Sequence, residues 1–156
     1  MAKSVIAQTV GDELRAAADC LVAAMNNLAG PYGKAYSRST SDLYYACYHL
    51  ANALLASRGI GATSHEAVQK LLALHFVKPA ALPADTNRKF NELMDKRHAA
   101  DYKPFVPIGA EDVAAFKPWI AAFARDALKL LGKAAPPAEL KTLHKALADF
   151  DRLAVE

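Results

Sequence analysis

The sequence predicts an all-α protein, an antiparallel helical bundle of about five helices with an additional C-terminal helix. Three observations carry that reading. Apolar residues recur at steps of three and four through six separate stretches, the spacing that gathers them on one face of a helix. No strand-like alternation of apolar and polar residues interrupts them. The 156 residues are 53% hydrophobic, rich in Ala, and include only 7 Gly. That balance suits helix, because Ala, Leu, Lys and Glu have the best helix propensities. A chain of this size forms one domain and buries roughly two thirds of its unfolded surface.

Residues 4 to 28 place Ile6, Val10, Leu14, Ala17, Leu21, Met25 and Leu28 on one stripe, a long first helix despite Gly11. Ala29-Gly30-Pro31-Tyr32-Gly33 breaks it, through Gly and a Pro that cannot continue the ladder. The second helix is expected to start near Ser39 to Asp42, where hydroxyl and carboxylate caps are available. From Leu43 to Ala56 it is apolar on nearly every side, as a central, surrounded helix would be. Gly59-Ile60-Gly61-Ala62 reads as a loop, and Thr63-Ser64-His65-Glu66 as a capping box opening helix three.

Val68, Leu71, Leu72, His75 and Phe76 form the third stripe, with His65 and His75 expected to serve local packing. Lys78-Pro79 ends that helix, and Pro83-Ala84-Asp85 starts a fourth that stops before Pro104. Glu111 and Asp112 suit the N-terminus of a fifth helix, facing its positive dipole end. Its stripe is Val113, Phe116, Ile120, Phe123, Ala127 and Leu130, and Pro118 should kink it or delay its regular part. Gly132 to Pro136 is a linker, and Pro137 opens a sixth helix with Leu140, Leu143, Leu147, Phe150 and Ala154 on a narrow seam. That seam fits either the bundle or another copy of the chain. The expected organisation is a bundle over residues 1–132 with an appended helix over 137–156.

The net charge of +3, with both signs interspersed, permits nucleic-acid contact without the basic stripe of a dedicated binder. Cys20 and Cys47 lie far apart inside helical patterns, which suits small buried hydrophobes in a reducing compartment. The N-terminal residues lack the long apolar core of a signal peptide, and no run reaches the roughly 18 apolar residues of a membrane span. A cytoplasmic protein with no membrane partner is expected.

The fourth helix carries the feature that asks for chemistry. Its buried stripe passes through Phe90, Leu93 and Met94 and then lands on Arg97 and Asp101. A charge on a core-facing stripe is costly unless it is paired or faces a cleft. His98 can titrate near neutrality and move a proton, and Tyr102 adds a phenol. On helix two, Asp42, Tyr45, His49 and Asn52 step by three, four and three, one polar line on a greasy helix. It reads either as an internal network fixing register or as the lining of a cleft. Arg97 and Asp101, in the same way, are either a staple at the helix end or a binding pair. No phosphate loop, Gly-x-Ser-x-Gly elbow or paired-histidine zinc spacing is present, so neither a metal nor a cofactor is expected.

Ser39 to Ser57 (Ser-Thr-Ser-Asp-Leu-Tyr-Tyr-Ala-Cys-Tyr-His-Leu-Ala-Asn-Ala-Leu-Leu-Ala-Ser) resembles the second helix of HEPN-domain proteins, the higher eukaryote and prokaryote nucleotide-binding family. Ser64-His65 with the helix that follows, then Phe76-Val77-Lys78, is similar to the middle of the same family. Arg97-x-x-x-Asp101-Tyr102 is similar to the Arg-x-x-Ala-Asp-Tyr ending of one small prokaryotic subgroup, with one residue more before the aspartate. The likeness runs over roughly residues 36 to 131, with the first helix fitting less well and the sixth looking like an addition.

The resemblance implies a helical bundle that dimerises and works beside a small nucleotidyltransferase, often as the toxin of a toxin–antitoxin pair. The active relatives cut RNA without a metal, using an arginine followed after four to six residues by a histidine. Arg97 matches that arginine, but Tyr102 stands five residues on and Pro104 seven. The expectation is therefore a homodimer binding a nucleotide or RNA at Arg97, Asp101 and Tyr102. The alternatives are a degenerate metal-independent endoribonuclease using Arg97 with His98 or His49, and a non-catalytic interaction module.

Overall fold

The computed structural model describes residues 2–31, 34–103 and 105–156. Tyr32 and Gly33 of the expected break, and the Pro104 expected to stop helix four, lie outside these residues. Six α-helices follow in order: α1 (Lys3–Ala29), α2 (Tyr36–Ser57), α3 (His65–Leu72), α4 (Thr86–Tyr102), α5 (Ala110–Leu131) and α6 (Pro137–Arg152). Among the described residues there is no strand.

The longest seam joins α1 to α2, and α2 also packs on α3, α4 and α5. That surrounded position is the one its all-round apolarity predicts. Pairing Asn27 with Asp42 and Glu13 with His49 sets α1 and α2 antiparallel. Val10, Leu14, Ala17 and Leu21 of α1 bury against Leu43, Cys47, Leu50 and Leu54 of α2 in one contiguous core. Each large side chain buried there contributes on the order of 2 kcal/mol of transfer free energy.

Helix α2 begins at Tyr36, three residues before the caps the sequence offers, and Ala35 at its N-cap makes no side-chain bond. Ser39, Thr40 and Ser41 lie inside the helix and are buried. Ser39 Oγ donates to Ala24 O at 3.1 Å across the seam, and Thr40 Oγ1 donates back to Tyr36 O at 2.8 Å. Small hydroxyls here let α1 approach closely while satisfying themselves on backbone carbonyls. The helix ends in paired bonds, Gly59 N to Ala56 O and Ile60 N to Leu55 O. Gly59 takes φ 73, where a side chain would be strained.

Ser64 caps α3 by accepting from Ala67 N at 3.0 Å. The capping box read from Thr63 to Glu66 does not form, because the N-cap is Ser64 and its third helical residue is Ala67, while Glu66 pairs with Lys70 on the exposed face. A single π-helical turn, Ala73–Val77, follows α3. Arg58 anchors it, with its guanidinium 4.0 Å from the Phe76 ring centroid and Nη1 donating to His75 O at 2.7 Å.

Helix α5 runs from Ala110 through Pro118 without a delayed start. Asp112 accepts from Gly109 N at 2.9 Å at its head. Leu130, expected on the stripe, is exposed, and Leu131 is buried in its place. The face drifts because 3.6 residues per turn do not divide a strict repeat of seven.

Helix α6 docks on α1 and α5, so its seam serves the bundle itself. Leu143, Leu147 and Phe150 are buried there, whereas Ala154 lies beyond the end of the helix and is exposed. Gly11, mid-helix in α1, is explained by this contact: a Cβ there would come within 3.3 Å of Pro136 Cγ. Arg125 with Asp151, and Arg15 with Glu139, fasten the rim.

Candidate functional site

The stripe of α4 places Phe90 and Leu93 in the core and then Arg97, which is 7% exposed. Its guanidinium carbon lies 5.0 Å from the Tyr44 ring centroid and 5.6 Å from that of Tyr45. Two aromatic faces thus stabilise the cation where water is excluded. Its hydrogen bonds are long by comparison. Nη1 donates to Tyr45 Oη and to Asp101 Oδ2, each at 3.4 Å. Nε has no partner among the described residues. A well-neutralised buried arginine makes short, forked bonds to carboxylate. Arg97 does not.

His98 and Arg97, adjacent in sequence, still converge: Nε2 of His98 lies 3.1 Å from Arg97 Nη2. That contact needs an unprotonated Nε2 to accept from the guanidinium. Asp101, with 29% of its side chain exposed, also accepts from Ser41 Oγ at 3.4 Å. Beyond it, Ser37, Arg38 and Ser41 of α2 face Ala100, Asp101 and Tyr102 of α4 across an open cleft of about 490 Å³. One arginine and three hydroxyls line the cleft against the Asp101 carboxylate, and Arg97 lies behind Asp101, which makes this end of the bundle fit for an oxyanion.

The polar line of α2 divides between two neighbours. Tyr45 turns to Arg97, whereas Asp42 and His49, two turns apart, face α1. Asn27 Nδ2 donates to Asp42 Oδ2 at 2.8 Å, and burial raises the Asp42 carboxyl above its usual range. His49 Nδ1 lies 2.7 Å from Glu13 Oε2. The Cys20 thiol and then the Glu13 carboxylate hold the His49 imidazolium up to about 9. Asn52 is half-buried and joins no hydrogen bond to the cluster among the described residues. Of the residues singled out from sequence, the structure therefore gathers Arg97, His98, Asp101, Tyr102 and Tyr45. It assigns Asp42 and His49 to the α1–α2 seam.

His65 and Tyr44 belong to the cluster and were missed. Tyr44 Oη and His65 Nδ1 are 2.5 Å apart, and the His65 ring stacks on Tyr48 with centroids 4.4 Å apart. Burial pushes the Tyr44 phenol well above its ordinary range, so it is a neutral donor. Burial first, then the neighbouring Arg97 and His98, push the His65 imidazole down, so its Nδ1 accepts. Ser41, Tyr44 and Tyr48, spaced by three and four, are the sequence signal that was available.

A helical bundle with a buried, under-neutralised arginine between its second and fourth helices defines an all-α protein with an anion-compatible cleft. The chain belongs to the HEPN domain family, whose model matches residues 10–134. The match takes in α1 from Val10 onward, wider than the likeness seen from sequence, and stops before α6. The chain is similar to a protein of Methanocaldococcus jannaschii provisionally named as a toxin, 30% identical over 77 residues, 49% of this chain and 52% of that one. It is also similar to a UPF0332 protein of Thermotoga maritima, 28% identical over 82 residues, 53% of this chain and 60% of that one. The matched stretches thus span little more than half the length of these relatives. Among the described residues no helix is long and apolar enough to cross a membrane.

Proposed function

We propose that this is a toxin-like HEPN protein that binds the phosphate of a nucleotide or an RNA at Arg97, as a homodimer and beside a small nucleotidyltransferase. One observation carries the binding role. Arg97 is a buried cation with an unpartnered Nε and only 3.4 Å contacts to Asp101 and Tyr45. An oxyanion entering beside Asp101 supplies the short, charge-assisted bonds that the protein withholds. Arg38 at the cleft wall adds a second, flexible cation.

The relative provisionally named as a toxin supports the toxin-like role. The homodimer is supported by apolar surface at the cleft mouth, where Tyr102 is 70%, Phe105 85% and Val106 41% exposed. Burying those three against a second copy sets two clefts side by side. Binding of a fluorescent oligoribonucleotide to the wild type and to Arg97→Ala tests the role. Affinity should fall at least tenfold while the helical circular dichroism persists.

A second reading, metal-independent RNA cleavage, is favoured by the approach of His98 and His65 to the arginine. Arg97 would stabilise the charge developing on phosphorus, and His98 would carry the proton. It predicts cleavage of an RNA pool in the presence of a chelator. An intact pool, with and without the nucleotidyltransferase, excludes it.

A further inference from the structure

A second pocket of about 490 Å³ opens between α3 and α4, with His65 in its lining. His65 and Met94 offer it flat, polarisable wall, and Gln69 and Asn87 line it too. Gln69 is 8% exposed. Its Oε1 and the Oδ1 of Asn87 are buried and have no hydrogen-bond partner among the described residues. Two buried acceptors without a partner on one pocket wall are an unusual cost.

Their orientation is set by what the amide nitrogens do. Asn87 Nδ2 donates to Gln69 O at 2.9 Å, so Oδ1 must be the other atom. Gln69 Nε2 faces the Met94 thioether at 3.6 Å, a weak acceptor and no donor, which leaves Oε1 free. The pocket lining therefore holds two buried acceptors without a donor, and a turn of the Gln69 amide lets it receive an N–H donor. A cationic amine is the poorer fit, because the carboxylate lining the pocket, Glu66, already pairs with Lys70 at 2.9 Å. A neutral amino group on a flat ring is the better one.

We infer that this pocket takes an amino-bearing nucleobase, adenine or cytosine, of the nucleotide whose phosphate Arg97 holds, which rests on the phosphate-binding reading above. His65 is the link between the pocket and the arginine. It lines the base pocket, stacks on Tyr48 and bonds Tyr44, whose ring centroid lies 5.0 Å from the Arg97 guanidinium carbon, so a ligand running past His65 has Arg97 close by. The exocyclic amino group donates to Gln69 Oε1 after a turn of that amide about its last torsion, with Asn87 Oδ1 as second acceptor. A keto edge at the same position sets oxygen against oxygen and is rejected.

The test compares two isosteric pairs, CMP with UMP and AMP with IMP, by equilibrium binding to the full chain. The amino member of each pair should bind about fivefold tighter or more, the range of one good base-edge contact. Gln69→Met should abolish the difference, and Gln69→Glu, which keeps the acceptors, should retain it. Equal affinities within both pairs for the wild type overturn the base pocket and leave the phosphate site standing. No measurable binding of any of the four overturns both. A preference that persists in Gln69→Met overturns the assignment to Gln69. The wild-type comparison decides by itself if Gln69→Met does not fold.

Discussion

Tyr44 Oη and His65 Nδ1 meet at 2.5 Å, though 21 residues apart in sequence, and the contact ties α3 to α2 directly beside Arg97. The imidazole is thereby fixed between Arg97, His98 and an aromatic shelf. Burial lowers its proton affinity most, and Arg97 and then His98 lower it further. Replacing Arg97 with Met should therefore raise the His65 pKa, read from the ring resonances in an NMR titration. An unshifted midpoint would show that the arginine is not in electrical contact with His65.

Asp101→Asn separates a binding cleft from a helix staple. The pair is long, 3.4 Å, and a third of the way to solvent on the carboxylate side. Asn keeps an oxygen acceptor at the same place, so the substitution should cost on the order of 1 kcal/mol of stability. With the competing carboxylate gone, nucleotide affinity should rise several-fold. A double-mutant cycle giving strong coupling between positions 97 and 101 in stability, with binding unchanged, would instead identify a staple.

The α1–α2 seam carries its own pH dependence. Cys20 and Glu13 raise the folded His49 pKa to about 9, above its unfolded value near 6.5. The stabilisation is fully present below pH 6.5 and is lost as pH rises towards 9. Denaturant midpoints should fall across that window in the wild type and much less in His49→Gln. A flat wild-type profile between pH 6.5 and 9 would contradict the contact.

The architecture was legible because steps of three and four mark helix faces wherever the environment is uniform. It failed where a local signal had a second use. Ser39, Thr40 and Ser41 look like caps, yet Ser39 bonds across the α1–α2 seam, Thr40 bonds back to its own helix, and Ser41 faces Asp101. Leu130 and Ala154 were placed by extending a strict repeat past the point where the helix face turns or the helix stops. Arg97 was legible because a charge on a core stripe violates the pattern that surrounds it. His65 was not, since its partners are brought to it only by the fold. The polar line of α2 showed one face in sequence, but its members point to two different neighbours.

Helix α6, outside the matched family region, is nonetheless part of the core. Phe150 is 0% exposed, with the Lys117 ammonium 5.3 Å from its ring. Phe150→Ala should destabilise the protein by about 3–5 kcal/mol. A loss below 1 kcal/mol in chemical denaturation would mean that α6 is dispensable to the bundle.

The central claim is that Arg97 is held under-neutralised in order to receive a phosphate. Binding of a labelled oligoribonucleotide to wild type, Arg97→Ala and Asp101→Asn, measured at one salt concentration, tests it most directly. The account predicts affinity at least tenfold weaker for Arg97→Ala and several-fold tighter for Asp101→Asn. Equal affinity in all three folded proteins would contradict it.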